Sequence, residues 1–395
     1  MRSPSSPPSQ LDRYSVDPWP QWPVPPEYLT PHGYKLLKQF GAWDRAWLEH
    51  AGLLASAQCN AAAIYIETDS DERTIASGHA LAEGLSPDCP VTVQSLAQGT
   101  HYSLFHPSHL NLDAATRAEA VKAVRQVLPA GPKDLTAMYR GQLALLQHVL
   151  DGCMPNEPCI ANKKTPAVSL MSVPAVFESG HGHKMFTLTD PVSTGASLAE
   201  DMLLEYVQGM PYADVAWGQL DEARLRDLIG LHTAEFAIAH RTPFLAQMQA
   251  SNLLDHMLRT LQQAASGTPV PGALGQPGQR LVVLDGHDTN IASVAGLLHL
   301  HWTLDGRTDD TPPGMQIQFL LYRDTHGRAS VQVHVAMQTL DQMRNATPLT
   351  VANPPALAVV NLPECDARHD TCPWITFEQI AARAIDSRFV LPLKQ

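Results

Sequence analysis

Apolar positions divide the chain into segments of two periods. Residues 1–28 show neither, because eight prolines interrupt any periodicity, and such a stretch forms neither a helix nor a central strand. From Thr30 the pattern turns helical. Thr30 reads as a cap and Pro31 as the first helical residue, and Leu36, Phe40, Trp43 and Trp47 then build one apolar face. "NAAAIYIETDS" reads as a buried strand. "DERTIASGHALAEGL" reads as the helix after it, with Asp71 and Glu72 at its N-terminus and Arg73 in its first turn. From about 113 to 263 nearly everything is helical. "DAATRAEAVKAVRQVL" puts Val121, Val124 and Leu128 on one face, and "DLTAMYRGQLALLQHVL", "TGASLAEDMLLEYVQGM", "LDEARLRDLIGLHTAEFAIAH" and "SNLLDHMLRTLQQA" follow the same rule. "ASGTPVPGALGQPGQ" is a loop by composition. The strand "RLVVLD", the turn "GHDTN" and the helix "IASVAGLLHL" come next, and "MQIQFLLYRDTHGRASVQVHVAM" alternates on both sides of "DTHG" as a hairpin does.

Strand–helix units therefore sit at both ends, with a helical block between them and no internal repeat. This predicts an α/β fold, a mainly parallel central sheet flanked by helices, with an inserted all-helical domain. The expected division is a discontinuous α/β domain, 1–112 and 264–395, and a helical domain, 113–263. Ligands bind beyond the carboxyl ends of strands in such sheets, and both "DERT" and "GHDTN" lie there.

Composition narrows the function classes. Hydrophobic residues make up 44% of 395 and charged residues 17%, an ordinary globular balance. The net charge of −12 argues against a broad nucleic-acid surface. No apolar run approaches the ~18 residues that span a bilayer, and no charged-then-apolar leader opens the sequence. Six cysteines, with Cys153 near Cys159 and Cys365 near Cys372, read as disulfides formed in an oxidising compartment. Six free thiols in a cytosolic protein are the alternative.

The chemistry concentrates at "GHDTN". A strand–turn–helix junction offers free backbone N–H groups and a positive dipole end to an anion. His287 there can bond that anion, Asp288 can deliver a proton to a leaving oxygen, and Arg73 can add a bidentate fork for phosphate. A capping Asp beside a satisfied core His is the competing reading. His181 and His183, and His299 and His301, have the His-x-His look of metal ligands, but no Glu or Asp at helical spacing completes a set. They read as a solvated loop and a structural helix end, and His232 as a structural helix residue. Serine-hydrolase elbows, phosphate-binding P-loops and dinucleotide-binding glycine motifs are absent from the sequence.

"GHDTN" after its strand, "DERT" after an earlier one, "DPWPQWPV" and "YLTPHG" near the start, "QGMPYADVAWG", "LHTAEFAIAHRTP" and the closing "CDARHDTCPWITFEQI" together resemble the bacterial histidine acid phosphatases. The closest look is to their periplasmic phytase and acid-phosphatase branch, and the likeness runs end to end. The resemblance implies hydrolysis of phosphomonoesters through a phosphohistidine, with no metal or other cofactor. It assigns phosphate binding to Arg2, Arg73 and His287 and proton donation to Asp288. "MRSP" matches only the tail of the family's Arg-His-Gly-x-Arg-x-Pro motif, so the nucleophilic His and one Arg are expected immediately before Met1. A reading frame started too late, which also drops a signal peptide, accounts for this. The rival is a non-catalytic phosphate-binding remnant, and a second rival is a metal hydrolase built on the His-x-His pairs.

The implied disulfides are Cys59–Cys89, Cys153–Cys159 and Cys365–Cys372. Gln208 in "VQGM" leans toward the phytase branch. Ser5, Ser6, Met210 and Gln249 are expected at the substrate pocket, with Met210 equally readable as core. Ser6 and Gln249 fall where phytases carry basic residues, which weakens attraction for a polyphosphate. The expected partner is a phosphomonoester, with phytate a candidate. A monomer, periplasmic or secreted, without nucleic-acid or membrane partners, completes the expectation.

Overall fold

The computed structural model describes residues 11–55, 59–106, 112–155, 157, 159, 168–180, 185–365 and 370–391. Helix α1 (Pro31–His50) opens at Thr30, whose side chain accepts from the Gly33 N–H at 3.0 Å. Strand β1 (Ile64–Thr68), helix α2 (Glu72–Leu85) and strand β2 (Val93–Gln94) follow. α1 and α2 touch backbone to backbone. A Cβ on Gly84 would lie 2.2 Å from the Lys38 carbonyl, so only glycine admits the approach.

The central block holds α3 (Ala114–Val127), α4 (Pro132–Met138), α5 (Arg140–Leu150), a hairpin of β3 (Val176–Ser179) and β4 (Phe186–Thr189), α6 (Pro191–Val207), α7 (Glu222–Ala239) and α8 (Pro243–Ser266). The sequence pattern missed three features here. The β3–β4 hairpin interrupts the helices. The segment read as one helix from 134 breaks at Tyr139, which leaves helical dihedrals at φ −101° and ψ 23°. α8 begins eight residues before "SNLL", since Pro243 suits a first helical turn and removes no needed N–H.

Then come β5 (Leu281–Asp285), α9 (Asp288–Leu298), β6 (Thr303–Leu304), β7 (Arg307–Thr308), β8 (Gln316–Arg323), β9 (Ala329–Met337), α10 (Leu340–Asn345), β10 (Ala356–Val360), β11 (Cys372–Pro373) and α11 (Trp374–Ala384). Strands β2, β1 and β5 form a parallel sheet in that order, with Thr68 opposite Asp285. The expected hairpin is β8–β9, and it grows into a second, antiparallel sheet with β10 and β11. The fold is mixed α/β with a parallel sheet and many helices.

One large apolar cluster gathers α3 to α7 and a second surrounds the sheets, with α9 and α11 in it. α8 feeds both: Phe244, Leu245 and Met248 face the first, and Leu253, Leu254 and Leu258 the second. The three cysteine pairs are those the resemblance implies, with Cα atoms 5.5, 4.2 and 5.3 Å apart.

Candidate functional site

The parallel pairing of β1 with β5 brings two chain reversals side by side. The Asp69 N–H donates to the Asp285 carbonyl at 2.9 Å, which holds the two strand ends together. Past β1 come Asp69, Asp71 and Arg73. Past β5 come Gly286, His287 and Asp288, the last opening α9. Asn290 fixes the second reversal: its Oδ1 accepts from the His287 N–H at 2.9 Å, and its Nδ2 donates to the Phe105 carbonyl at 2.8 Å.

Arg73 and His287 meet. An Arg73 Nη2–H donates to His287 Nδ1 at 3.1 Å. Guanidinium has no lone pair to offer, so this Nδ1 is unprotonated and the ring proton sits on Nε2. From Nε2 it is donated to Asp69 Oδ2 at 2.7 Å. His106, at the end of a turn from Tyr102, reaches the same oxygen through its Nε2 at 2.6 Å. Asp69 is fully buried. Burial raises its proton affinity, but the hydrogen bonds from His106 and His287, the His106 charge and the Ser70 N–H outweigh it and hold the carboxyl well below the usual range. Asp71 is the N-terminal flank of α2 as expected, yet its side chain makes no cap. It pairs with Arg73 at 2.8 Å instead. Arg73 Nη1 is buried and has no partner among the described residues. The site thus holds an unused guanidinium arm.

Asp288 faces a different neighbourhood. Its Oδ1 accepts from the Thr289 N–H at 2.7 Å. Ligand atoms of Asp288, Glu200 on α6 and His232 on α7 lie within 4.8 Å of one another. Burial, then the charges of Asp288, Asp201 and Glu235, push the Glu200 carboxyl up to about 8. Burial, then Asp190 and Asp288, push Glu235 on α7 up to about 7. Asp285, at the end of β5, is pushed up to about 8 by burial and then by the Asp69 charge. A carboxylic acid that keeps its proton can donate it in a hydrogen bond. Among the described residues, two sets of groups could hold a cation, Asp69 with Asp71, His106 and His287, and Glu200 with His232 and Asp288.

The structure therefore brings Arg73 and His287 together, with Asp288 next along the chain and turned toward Glu200 and His232. Arg2, Ser5, Ser6, His181 and His183 lie outside the described residues. Gln249 ties α8 to the end of α7: His240 Nδ1–H donates to its Oε1 at 2.6 Å, and its Nε2 donates to the Ala239 carbonyl at 2.7 Å. Gln208 accepts from the Thr30 hydroxyl at 2.6 Å. Met210 is buried in the helical cluster, and its carbonyl accepts from Arg344 at 2.7 Å. His299 ends α9 in the left-handed region, and His301 Nδ1 pairs with Asp309 at 2.7 Å. His232 stacks on Phe236 with ring centres 4.0 Å apart. The sequence pointed to none of Asp69, His106, Glu200 or Glu235. Asp69 was readable as a strand-end carboxylate beside "DERT", whereas the others carry no local signal.

Residues 6–142 match the histidine phosphatase superfamily, branch 2. The chain is 32% identical to phytase AppA of Escherichia coli K12, over 97% of this chain and 89% of that protein. It is 27% identical to the glucose-1-phosphatase of Salmonella typhimurium, over 94% and 86%. Among solved structures, the Hafnia alvei phytase in complex with tartrate superposes with a TM-score of 0.87 at 30% identity, covering 99% of this chain and 96% of that one. The same phytase with myo-inositol hexakis sulphate gives 0.84 at 30% identity, over 99% and 96%.

Proposed function

Because the chain belongs to branch 2 of the histidine phosphatase superfamily, we propose that it hydrolyses phosphomonoesters, phytate among the candidates, through a phosphohistidine. The observation that carries this reading is the meeting of Arg73 and His287 at adjacent strand ends, with the Arg73 Nη1 arm left without a partner among the described residues. An incoming oxyanion takes the guanidinium. His287 Nδ1, released from Arg73, can then gain a proton and donate to a second phosphate oxygen. Asp288 delivers its proton to the leaving oxygen, so turnover favours acid, where that carboxyl holds it. Arg2 adds a further cation to the equatorial oxygens. In the family motif Arg-His-Gly-x-Arg-x-Pro the nucleophile is the His three residues ahead of the position that Arg2 takes.

Glu200 and Glu235, which keep their protons into neutral pH, surround Asp288 without adding full charges. The division into an α/β domain, 1–112 with 264–395, and a helical domain, 113–263, is part of the proposal, and Glu200 on α6 and His232 on α7 approach Asp288 at the head of α9. The cysteine pairs support a periplasmic or secreted protein, and a monomer is part of the proposal.

The test compares residues 1–395 with the same chain preceded by Arg-His-Gly. Both are expected to bind inorganic phosphate, and only the second to hydrolyse p-nitrophenyl phosphate, without loss to chelators and with inhibition by vanadate. Arg73→Ala should weaken phosphate binding at least ~10-fold, the scale of a charge-assisted bond of roughly 1.5–3 kcal/mol. Phosphate binding indifferent to Arg73 would sink the reading, and binding without turnover in both chains would favour the phosphate-binding remnant.

A further inference from the structure

Asp69 Oδ2 is approached by two imidazole nitrogens at once, His106 Nε2 at 2.6 Å and His287 Nε2 at 2.7 Å. Asp71 Oδ2 lies 3.8 Å from His287 Nε2. All four side chains place one ligand atom within 4.8 Å of the others, and Asp69 Oδ1 is buried with no partner among the described residues. Two nitrogens and two carboxylates are the donor set of a borderline-soft divalent ion such as Zn²⁺, not of Mg²⁺ or Ca²⁺, which take oxygen. A tetrahedral Zn²⁺ with bonds near 2.0–2.1 Å spaces its ligand atoms by about 3.4 Å. The separations of 2.6, 2.7 and 3.8 Å lie on both sides of that figure and the others are within 4.8 Å, so side-chain adjustment brings the four atoms to it.

We propose that Asp69, Asp71, His106 and His287 form a binding site for Zn²⁺ or a similar transition-metal ion, and that an ion bound there shuts the phosphate site. The cation site stands on this geometry alone, while the closure rests also on the phosphate reading above. The closure follows from the tautomer. A metal on Nε2 of His287 moves the ring proton to Nδ1. That N–H then points at the Arg73 N–H that now donates to the lone pair there. Two donors cannot share the position, so Arg73 leaves His287. Asp71, bonded to Arg73 at 2.8 Å, is drawn to the metal at the same time. His287 and Arg73 are then no longer arranged for one oxyanion. The ion is thus an inhibitor and takes no part in turnover.

His106 makes the proposal specific, because it is a ligand that the phosphate chemistry does not use. The experiment is calorimetric titration of residues 1–395 with ZnCl₂ in phosphate-free buffer, for the parent chain and for His106→Asn, Asp71→Asn and His301→Asn. The expected result is one Zn²⁺ per chain, bound at least ~10-fold more weakly by the first two variants and unchanged by the third, with MgCl₂ giving no heat at this site. Far-UV circular dichroism confirms that each variant is folded, and the partly exposed position of Asp71 keeps the test valid if His106→Asn is not. Parent and His106→Asn chains binding Zn²⁺ equally, or no binding by the parent, would overturn the site. Phosphate is then titrated into Zn²⁺-free and Zn²⁺-loaded protein. Tight binding only to the first supports closure, and equal binding to both refutes it. Failure of phosphate to bind even the Zn²⁺-free protein counts against the phosphatase reading and leaves the cation result to stand on its variants.

Discussion

Gly286 shows how tightly single positions set this site. A Cβ there would sit 2.6 Å from Asn290 Oδ1 and 2.6 Å from a Phe105 ring carbon. Both neighbours are committed, Asn290 to the His287 N–H and the Phe105 carbonyl, so neither can yield freely. Gly286→Ala is expected to cost about 1–3 kcal/mol by overpacking, read from the urea midpoint. It should also weaken phosphate binding, because His287 moves with its backbone. At this scale the sequence was readable where residue type and position in a turn coincide, as with Arg73, His287 and Asp288. It was silent on His106 and Glu200. His106 reaches Asp69 from a separate turn, and Glu200 looks like any polar residue on an amphipathic helix until α6 is laid against α9.

Helix ends are where elements constrain one another. Arg344, on α10, donates to the Tyr206 carbonyl at 2.9 Å and the Met210 carbonyl at 2.7 Å, with its guanidinium 3.8 Å from the Tyr212 ring centre. It therefore closes the C-terminal end of α6, where backbone carbonyls have no helical partner. Arg344→Ala removes both bonds, leaving the Met210 carbonyl without this donor and the Tyr206 carbonyl only its backbone N–H partners, and should destabilise by roughly 1–3 kcal/mol. Arg344→Lys should recover little of it, since an ammonium lacks the planar fork. Thermal unfolding of the two variants decides this. Periodicity located nearly every long helix and strand, but it misplaced their limits. α6 starts at Pro191 because Asp190 accepts from the Val192 and Ser193 N–H groups, a local bond that apolar spacing does not register. The hairpin β3–β4 was lost for a related reason: its strands are short, and no long alternation separates them from loop.

Among the described residues, five carboxyls hold protons more firmly than usual, all through burial first: Asp190, with Asp44 at about 7, Glu200 at about 8, Glu235 at about 7 and Asp285 at about 8. Each binds more protons folded than unfolded once pH exceeds the ordinary carboxylate range. Stability therefore falls as pH rises from about 4 to 8 and levels off above that. Asp69 works in the opposite sense: its contribution is present above the ordinary range and lost in stronger acid. The melting temperature should peak near pH 4–5 and drop by roughly 5 °C or more by pH 8. A melting temperature flat across that interval would show that these protons are not retained. The α/β class followed from the order of strands and helices. The second sheet did not, beyond its β8–β9 hairpin, because β10 and β11 are too short to give a period.

α8 carries a consequence for how the molecule comes apart. Its 24 residues span about 36 Å, with apolar side chains in both clusters. Melting the helical block strips Phe244, Leu245 and Met248 of their neighbours and frays the same rod that supports Leu253 and Leu258 beneath the sheets. Arg226 on α7, paired with Asp305 beside β6 at 2.9 Å, adds a second tie. The two cores are separate as packing but tied through α8, and the chain is expected to unfold in a single calorimetric transition.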